Sequence, residues 1–266
     1  MELTIVIPVH EFNKDVETML PLAIKSVENQ NNVSFLPKVI IVYSLLIEEK
    51  IQTLVKGIET KLSINFLSNE DKIDFQSQVN LAVKNVDTKY FSILEFDDEY
   101  SNTYIKNAIE YTTYYSDVDV LMPIIVETNT QNQALQLTNQ SVWSRDFVGE
   151  NGTMGFLNAK SLNQYTNFKI SGAIIKTDEF IAAGGLKSNI KLTFNYEFLL
   201  RILDSGSKIM IIPKTVYKHL VNREGSLFDV YSKTMTLQER KFWFDIAKKE
   251  AHFFNDRVID TSMLIK

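Results

Sequence analysis

Apolar runs that alternate with helix-like segments in the first half of the chain constrain its fold most strongly. The runs at 3–9, 38–43 and 90–94 are continuous and rich in β-branched or aromatic residues, which is typical of strands buried on both faces. Between the first two runs, apolar residues such as Val16 and Leu20 recur at helical spacing. This alternation predicts an α/β fold with a mainly parallel central sheet and helices on both faces.

A strand is also predicted at 62–67, and the pattern weakens beyond a fifth predicted strand at 118–126. Residues 127–167 are rich in Asn, Gln, Ser and Thr with weak periodicity, and they predict long loops and short elements over the sheet. Further strands are predicted at 170–175 and at 208–212, where Pro213 is expected to stop the strand. A separate strand at 216–221 and a final amphipathic helix at 237–254 complete the prediction.

Composition excludes several classes of function. Lys and Arg number 28 and Asp and Glu number 33, giving a net charge of −5 and a pI near 5.4, which disfavours nucleic acid as the main partner. The absence of cysteine excludes disulfides, thiolate metal sites and cysteine catalysis. No apolar stretch approaches the ~18 residues of a membrane span, and no signal sequence is evident, so a cytoplasmic location is predicted.

An acidic cluster follows the strand at 90–94. Glu95, Asp97 and Asp98 stand where that strand ends, and ligands of open α/β sheets bind beyond the carboxyl ends of the strands. Carboxylates at this position can hold a hard divalent ion that bridges the phosphates of a nucleotide. A solvated acidic turn is the alternative interpretation of the same three residues.

The order of several segments resembles that of family 2 glycosyltransferases, over about residues 1–227. The resemblance implies a GT-A fold, a GT-A domain at 1–227 and a helical extension at 228–266 packed on that domain. It is carried by the segments Thr4-Ile5-Val6-Ile7-Pro8-Val9, Gln78-Val79-Asn80-Leu81-Ala82, Ile93-Leu94-Glu95-Phe96-Asp97-Asp98, Ser171-Gly172-Ala173, Gly184-Gly185, Asn195-Tyr196-Glu197 and Gly206 to Pro213, followed by Tyr217, His219 and Gly225-Ser226.

Site residues follow from the same resemblance. It implies Mn²⁺ or Mg²⁺ held by Asp97, Glu95 and His219, and a nucleotide-sugar donor, with a UDP-sugar favoured. A histidine without a ligand role is the alternative for His219. Tyr43 is a departure, because the family has an acidic pair after the second strand where this chain has Val42-Tyr43-Ser44; Tyr43 either stacks on the base or belongs to the core. The residues implied at the nucleotide sugar are Pro8, Val9, Glu11, Tyr43, Asn80, Glu95, Phe96 and Arg223.

The predicted catalytic positions are Asn195, Glu197 and Asp98, and the first departs from the family. Asn195 stands where the family has the aspartate that deprotonates the acceptor, and an amide cannot act as a general base. Glu197 is two residues further on, on another face of the predicted helix. Three explanations are open: a shifted alignment, transfer with retention of configuration, or a module that binds a nucleotide sugar without turnover.

The leading hypothesis is therefore a glycosyltransferase acting on a hydroxyl acceptor, which is a glycan, a small molecule, a protein or a hydroxylated DNA base. The acidic pI disfavours the last acceptor. A catalytically silent binding module is the alternative. The loop at 9–13 has no glycine, which argues against a dinucleotide oxidoreductase and a sugar nucleotidyltransferase. The aromatic residues of the final helix also suggest a homodimer contact, with burial on the domain's own sheet as the alternative.

Overall fold

The computed structural model describes residues 2–70, 74–143 and 154–251, except for the side chain of Lys160. The first half of the chain contains the predicted alternation of strands and helices. Side-chain caps fix two of the helix starts: Asn13 accepts from the Val16 amide, and Asp74 accepts from the Ser77 amide. The elements are β1 (Leu3–Val9), α1 (Lys14–Glu28), β2 (Lys38–Ser44), α2 (Glu48–Lys56), β3 (Ile64–Asn69), α3 (Phe75–Lys84), β4 (Tyr90–Ile93), β5 (Glu99–Tyr100) and α4 (Tyr104–Tyr114).

The second half adds further strands to the same sheet, together with further helices. The predicted loop region at 127–167 does contain short elements, although residues 144–153 lie outside the described part. The elements are β6 (Val120–Thr128), β7 (Ala134–Thr138), α5 (Ala159–Gln164), β8 (Ile174–Lys176), α6 (Thr177–Ala182), α7 (Phe194–Asp204), β9 (Ile209–Leu220), α8 (Leu227–Thr234) and α9 (Leu237–Glu250), with short 3₁₀ turns at Leu45–Ile47 and Gln140–Trp143.

The strands of the described residues form one mainly parallel sheet. Its order is β3-β2-β1-β4-β8-β6-β9-β5, and β7 pairs with β6 beside this path. The strands β3, β2, β1, β4, β6 and β9 share one direction, while β8, β5 and β7 run antiparallel to their neighbours. Because parallel strands end at the same edge, the segments after β1, β4 and β9 meet there.

The predicted break at Pro213 is wrong, because β9 continues through it. The ladder with β6 shifts at this point: Ile212 faces Pro123, whereas Ile124 already faces Thr215. Pro213 therefore falls in a bulge, where a missing backbone N–H costs no ladder hydrogen bond. As a result, one 12-residue strand carries Tyr217 and His219 to the carboxyl edge.

The predicted strand at 170–175 is also shorter than expected. Residues 170–173 form a turn in which the Ala173 amide donates to the Ile170 carbonyl (2.9 Å), and β8 begins only at Ile174. Gly172 adopts a φ of 70°, which L-residues with a side chain rarely adopt. This turn, and not a strand, presents Ser171 to the carboxyl edge.

Helices cover both faces of the sheet, which confirms the predicted α/β architecture. Alternate residues of β1 point to opposite faces: Ile5 and Ile7 pack with α1, α2 and α4, and Val6 packs with α3, α6 and α7. Phe244 and Ala247 bring α9 into the second of these cores. Burial of both faces explains why the strands are continuous apolar runs.

Two predictions about the chain's end are not decided by this arrangement. Helix α9 is described to Glu250, while Phe253 and Phe254 of the predicted helix lie outside the described residues. The domain division at 227 and the homodimer contact remain predictions. Within the described ranges, no helix has both the length and the apolarity needed to cross a membrane.

Candidate functional site

The residues after β4 form a tight turn at the carboxyl edge of the sheet. The Asp98 amide donates to the Glu95 carbonyl (3.0 Å), and the Leu94 amide donates to the Val6 carbonyl of β1 (2.9 Å). The first bond closes the turn, and the second fixes its start to the central strand β1. All three acids of the predicted cluster are therefore held where ligands of such sheets bind.

Asp97 is paired with an arginine from the segment after β9. The Arg223 Nε donates to Asp97 Oδ2 (2.8 Å), and the Arg223 guanidinium also donates to Asp15 Oδ2 (3.1 Å). It lies 3.6 Å from Glu11 Oε1, an oxygen that has no hydrogen-bond donor among the described residues. Burial and the carboxylates of Asp98 and Glu95 raise the pKa of Asp97 to about 7, despite Arg223. The charge of Asp97 is thus incompletely compensated.

Asp98 is held quite differently. It is 1% exposed, and its carboxylate accepts from the Tyr217 hydroxyl (2.7 Å), His219 Nδ1 (2.8 Å) and the Leu220 amide (2.8 Å). Burial lowers the pKa of His219, but the carboxylates of Asp98 and Glu95 together outweigh it, so the net pKa lies above the usual value. Asp98 therefore joins the turn to the end of β9.

Glu95 is the third acid of the turn. Its Oε1 accepts from the Ser171 hydroxyl (2.7 Å), and its amide donates to the Tyr217 hydroxyl (3.2 Å). Burial and the neighbouring Asp98 raise the pKa of the Glu95 carboxyl. Glu95, Asp98 and His219 each offer a potential ligand atom, and these atoms all lie within 4.8 Å of one another.

This spacing is compatible with one cation shared by several of these groups. The predicted metal residues Glu95 and His219 are thus brought together, with Asp98 beside them, while Asp97 pairs with Arg223. Negative charge dominates the edge. Within salt-bridge distance, the described side chains bring one guanidinium and two imidazoles to four carboxylates, namely those of Glu11, Asp15, Asp97 and Asp98, and Glu95 adds a fifth carboxylate beside Asp98.

The residues predicted to border the nucleotide base have diverse surroundings. Pro8 and Val9 are buried at the end of β1, where the Val9 carbonyl accepts from Gln78 Nε2 (3.2 Å). Phe96 is 2% exposed and lies under the Arg223 guanidinium, 5.0 Å from its ring centre. Glu11 joins the Arg223 group. Glu11 and Arg223 are therefore close to the acidic turn, and their contacts with a nucleotide remain a prediction.

Tyr43 and Asn80 make structural contacts instead. Tyr43 is fully buried, and its hydroxyl accepts from Gln52 Nε2 (3.0 Å), so the core interpretation of this tyrosine describes the structure and base stacking does not. Asn80 accepts from the Leu186 amide (2.8 Å) and donates to the Leu186 carbonyl (2.6 Å). It thereby fixes the chain after Gly185. A side chain at position 185 would clash with Asn80, because an added Cβ would lie 2.4 Å from Asn80 Oδ1.

The predicted catalytic residues of α7 have contrasting surroundings. Glu197 is fully buried; its carboxylate accepts from Arg201 Nε (2.7 Å) and Nη2 (3.0 Å), and it lies 3.3 Å from Lys187 Nζ. These pairs occupy the carboxylate with structural contacts. Asn195 is half-buried, and its Oδ1 is buried without a hydrogen-bond partner among the described residues.

Three contributors to the site are not among the residues predicted for it. They are Asp15, which pairs with Arg223, Ser171, which donates to Glu95, and Tyr217, which bridges Glu95 and Asp98. Ser171 and Tyr217 belong to segments that carry the family resemblance, so their place in the motif order was the available signal. Asp15 reads in the sequence as an ordinary first-turn acid of α1.

Comparison with known proteins adds evidence on the fold. No family model and no curated protein sequence matches the chain. Among solved structures, residues 1–349 of Staphylococcus aureus TarS in complex with UDP-GlcNAc match with a TM-score of 0.68 at 13% identity, over 94% of this chain and 66% of that one. The mannosyltransferase PcManGT from Pyrobaculum calidifontis, in complex with GDP-Man and Mn²⁺, matches with a TM-score of 0.64 at 13% identity, over 99% and 68% of the two chains.

The chain has the GT-A fold. This agrees with the fold that the resemblance implied, whereas membership of family 2 is not confirmed. The chain spans just under two thirds of the TarS 1–349 chain and 46% of a longer TarS chain, which it matches with a TM-score of 0.56 at 15% identity. At such identities the likeness concerns the fold, and the activity has to be argued from the site.

Proposed function

We propose that this chain is a metal-dependent glycosyltransferase that moves a sugar from a nucleoside diphosphate to a hydroxyl acceptor. The observation that carries the proposal is the convergence of Glu95, Asp97, Asp98 and His219 at the carboxyl edge of a GT-A sheet. A cluster of this composition suits a hard divalent cation and, through it, a diphosphate. A solvated acidic turn does not require the burial that Asp98 and His219 have.

Mn²⁺ or Mg²⁺ fits the chemistry of this donor set, since carboxylate oxygens and a neutral imidazole are suitable ligands for it. Glu95, Asp97 and His219 are the residues that would hold the ion. When bound, such an ion stabilises the negative charge of a departing diphosphate. Burial and the carboxylates of Asp98 and Glu95 raise the pKa of Asp97 to about 7, so a nearby cation would stabilise the charged form of this carboxylate.

Arg223 has a second part in this proposal. Its guanidinium lies between Asp97 and Asp15, and a planar guanidinium can bind two phosphate oxygens at once. Arg223 would therefore hold the diphosphate beside the cation. Glu11, Pro8 and Val9, at the end of β1, would border the nucleoside.

The donor and acceptor are narrower parts of the proposal. A uridine donor is favoured by the resemblance and by the TarS structure in complex with UDP-GlcNAc, whereas the PcManGT structure is in complex with GDP-Man. The acceptor is a hydroxyl of a glycan, a small molecule or a protein, and the acidic pI disfavours a hydroxylated DNA base. A hexosyl or pentosyl group, a cytoplasmic location and a homodimer through the C-terminal helix complete the hypothesis.

The fate of the acceptor proton separates two versions of this function. Asn195 cannot take it, and Glu197 is occupied by Arg201 and Lys187. Transfer with retention of configuration, in which the leaving phosphate receives the proton, is compatible with this arrangement. A catalytically silent nucleotide-sugar-binding module is the second candidate, and the amide at position 195 is the observation that favours it.

Release of nucleoside diphosphate tests the proposal directly. UDP-GlcNAc, UDP-glucose and GDP-mannose would each be incubated with the protein and Mn²⁺, without and with candidate acceptors. We expect turnover of at least one donor, and a loss of at least about 100-fold in Asp97→Ala, on the scale of removing a group that stabilises the transition state.

The matched control is Glu99→Ala, because Glu99 follows the same turn but pairs with Lys218. This variant should keep the wild-type rate within about twofold. Donor binding by calorimetry without any turnover would support the silent module. Absence of both binding and turnover for all three donors would contradict both versions.

A further inference from the structure

The three hydrogen bonds to Asp98 suggest a role other than metal ligation. Oδ2 accepts from Tyr217 and His219, and Oδ1 accepts from the Leu220 amide, so both oxygens are engaged by neighbours from β9. The side chain is fully buried. A cation bound to these oxygens would have to compete with three short bonds, whereas Glu95 accepts only from Ser171 among the bonds described for its carboxylate.

The contact with His219 also fixes a tautomer. A carboxylate can only accept, so the 2.8 Å contact requires the proton on His219 Nδ1. In the neutral ring, Nε2 then carries the free lone pair. Metal-ligating histidines are commonly oriented in this way, by a carboxylate on the nitrogen that does not bind the ion.

Tyr217 joins this network to Glu95. Its hydroxyl accepts from the Glu95 amide (3.2 Å) and donates to Asp98 Oδ2 (2.7 Å), so one oxygen sets the spacing of both acids. The ring itself is 1% exposed and packs edge-on against Tyr100, with 5.6 Å between the ring centres. Gly172 allows this position, since a Cβ there would lie 2.3 Å from the Tyr217 ring.

We propose that Asp98 and Tyr217 are positioning residues of the metal site: Asp98 orients His219 so that Nε2 binds the cation, and Tyr217 holds Asp98 and Glu95 at a fixed separation. This inference rests on the proposed function, because it assumes that the cluster binds a divalent cation. It leaves the direct contacts to Glu95 and His219, two of the three grouped residues, and to Asp97 as the family resemblance implies.

Two tyrosine variants provide the test. Tyr217→Phe removes the hydroxyl that bridges Glu95 and Asp98. Tyr104→Phe is the matched control, because Tyr104 is equally buried and its hydroxyl also has two partners, donating to the Gly172 carbonyl (2.9 Å) and lying 2.7 Å from Ser92 Oγ. Neither of these partners belongs to the acidic cluster.

Mn²⁺ affinity would be measured by electron paramagnetic resonance of the free ion, with thermal unfolding to verify that both variants fold. We expect Tyr217→Phe to weaken Mn²⁺ binding about tenfold, the lower end of effects seen for residues that orient metal ligands. Tyr104→Phe should stay within about twofold of the wild-type protein. Equal Mn²⁺ affinities in the two variants would overturn the role of Tyr217.

The role of Asp98 is tested without metal. In the metal-free protein, nitrogen-15 correlation spectra should show His219 protonated at Nδ1. The Asp98→Ala variant, with thermal unfolding to verify that it folds, has no acceptor at this position and should lose the preference for this tautomer. An Nε2-protonated ring in the wild-type protein would overturn the proposed orientation of His219. Failure of the wild-type protein to bind Mn²⁺ would instead refute the proposed function, so the two failures are distinguishable.

Discussion

Two carboxylates that are adjacent in the sequence have opposite surroundings in the acidic turn. Asp97 is compensated by a single cationic partner, the Arg223 guanidinium, and its pKa is raised to about 7. Asp98 is held by three donors from β9 and is fully buried. Adjacency in the sequence thus says little about role: Asp97 is suited to exchanging partners, and Asp98 is suited to holding the turn in place.

The largest effect that tests this comparison is on stability. Asp98→Ala would leave the Tyr217 hydroxyl, the Leu220 amide and His219 without their acceptor in a buried place, at a cost of about 3–5 kcal/mol. Asp97→Ala should change the free energy of unfolding by less than about 1 kcal/mol, because Arg223 keeps Asp15 and the carboxylate itself is unfavourably buried. Urea unfolding of the two variants measures the difference.

The same pair of variants separates stability from activity. Asp97→Ala is expected to abolish turnover while the protein stays folded. A large loss of stability in Asp97→Ala, equal to that in Asp98→Ala, would break the comparison, because both acids would then be structural.

The distinction between the two acids shows where prediction from sequence ends. The strand at 90–94 and the acids behind it follow from a local apolar pattern, and the fold class follows from repeating that pattern. The partners of the acids do not: Arg223 is 126 positions from Asp97, and Tyr217 is 119 positions from Asp98. Local spacing contains no information on such pairs.

Asn80 and Glu197 illustrate the same limit. A resemblance places both at a ligand site, but the first binds the backbone of Leu186, 106 positions away, and the second is enclosed by Arg201 and Lys187. A polar residue in a motif can serve the active site or hold the chain that forms it. Only the tertiary contacts distinguish these roles.

The packing of Tyr217 against Gly172 offers the next test, because Tyr217 holds Asp98 in place. A methyl group on Gly172 would meet the Tyr217 ring at 2.3 Å, and the φ of 70° adds backbone strain, so Gly172→Ala should cost about 2–4 kcal/mol. Gly184→Ala is the control, since Gly184 has a φ of 81° and no atom within 4 Å of the added carbon. It should cost only the backbone term, about 1 kcal/mol.

Thermal or urea unfolding would compare the two glycine variants. If both lose the same stability, the close approach of Tyr217 to residue 172 contributes nothing, and the ring can move without affecting the turn. A larger loss of stability in Gly172→Ala would support the view that packing of the Tyr217 ring against Gly172 holds the acidic turn in place.

The smallest expected effect concerns a third carboxylate, Glu127, which faces His219 across the β6–β9 ladder. It accepts from Lys169 (2.7 Å), Thr138 (2.6 Å) and Gln136 (2.7 Å). Although burial raises the pKa of Glu127, these partners, Lys169 above all, lower it to about 2. Like Asp98, Glu127 accepts hydrogen bonds from three donors. It contrasts with Asp97, whose pKa is raised and not lowered.

Acid unfolding tests this last contrast. Because the pKa of Glu127 is lower in the folded protein than the ordinary 4.5, its contribution is present above pH 4.5 and is lost as the pH falls towards 2. The shift sets an upper bound of roughly 3 kcal/mol on this contribution to the free energy of unfolding. Glu127→Gln should therefore be less stable than the wild-type protein by about 1–2 kcal/mol at pH 7, since the amide retains part of the hydrogen bonding. This difference should disappear near pH 2.

Glu99→Gln is the control, because it alters a more exposed pair and should show almost no pH-dependent difference in stability. A stability difference between Glu127→Gln and the wild-type protein that stays constant with pH would mean that Lys169 does not compensate this carboxylate. The proposed difference between Glu127 and Asp97 would then be wrong.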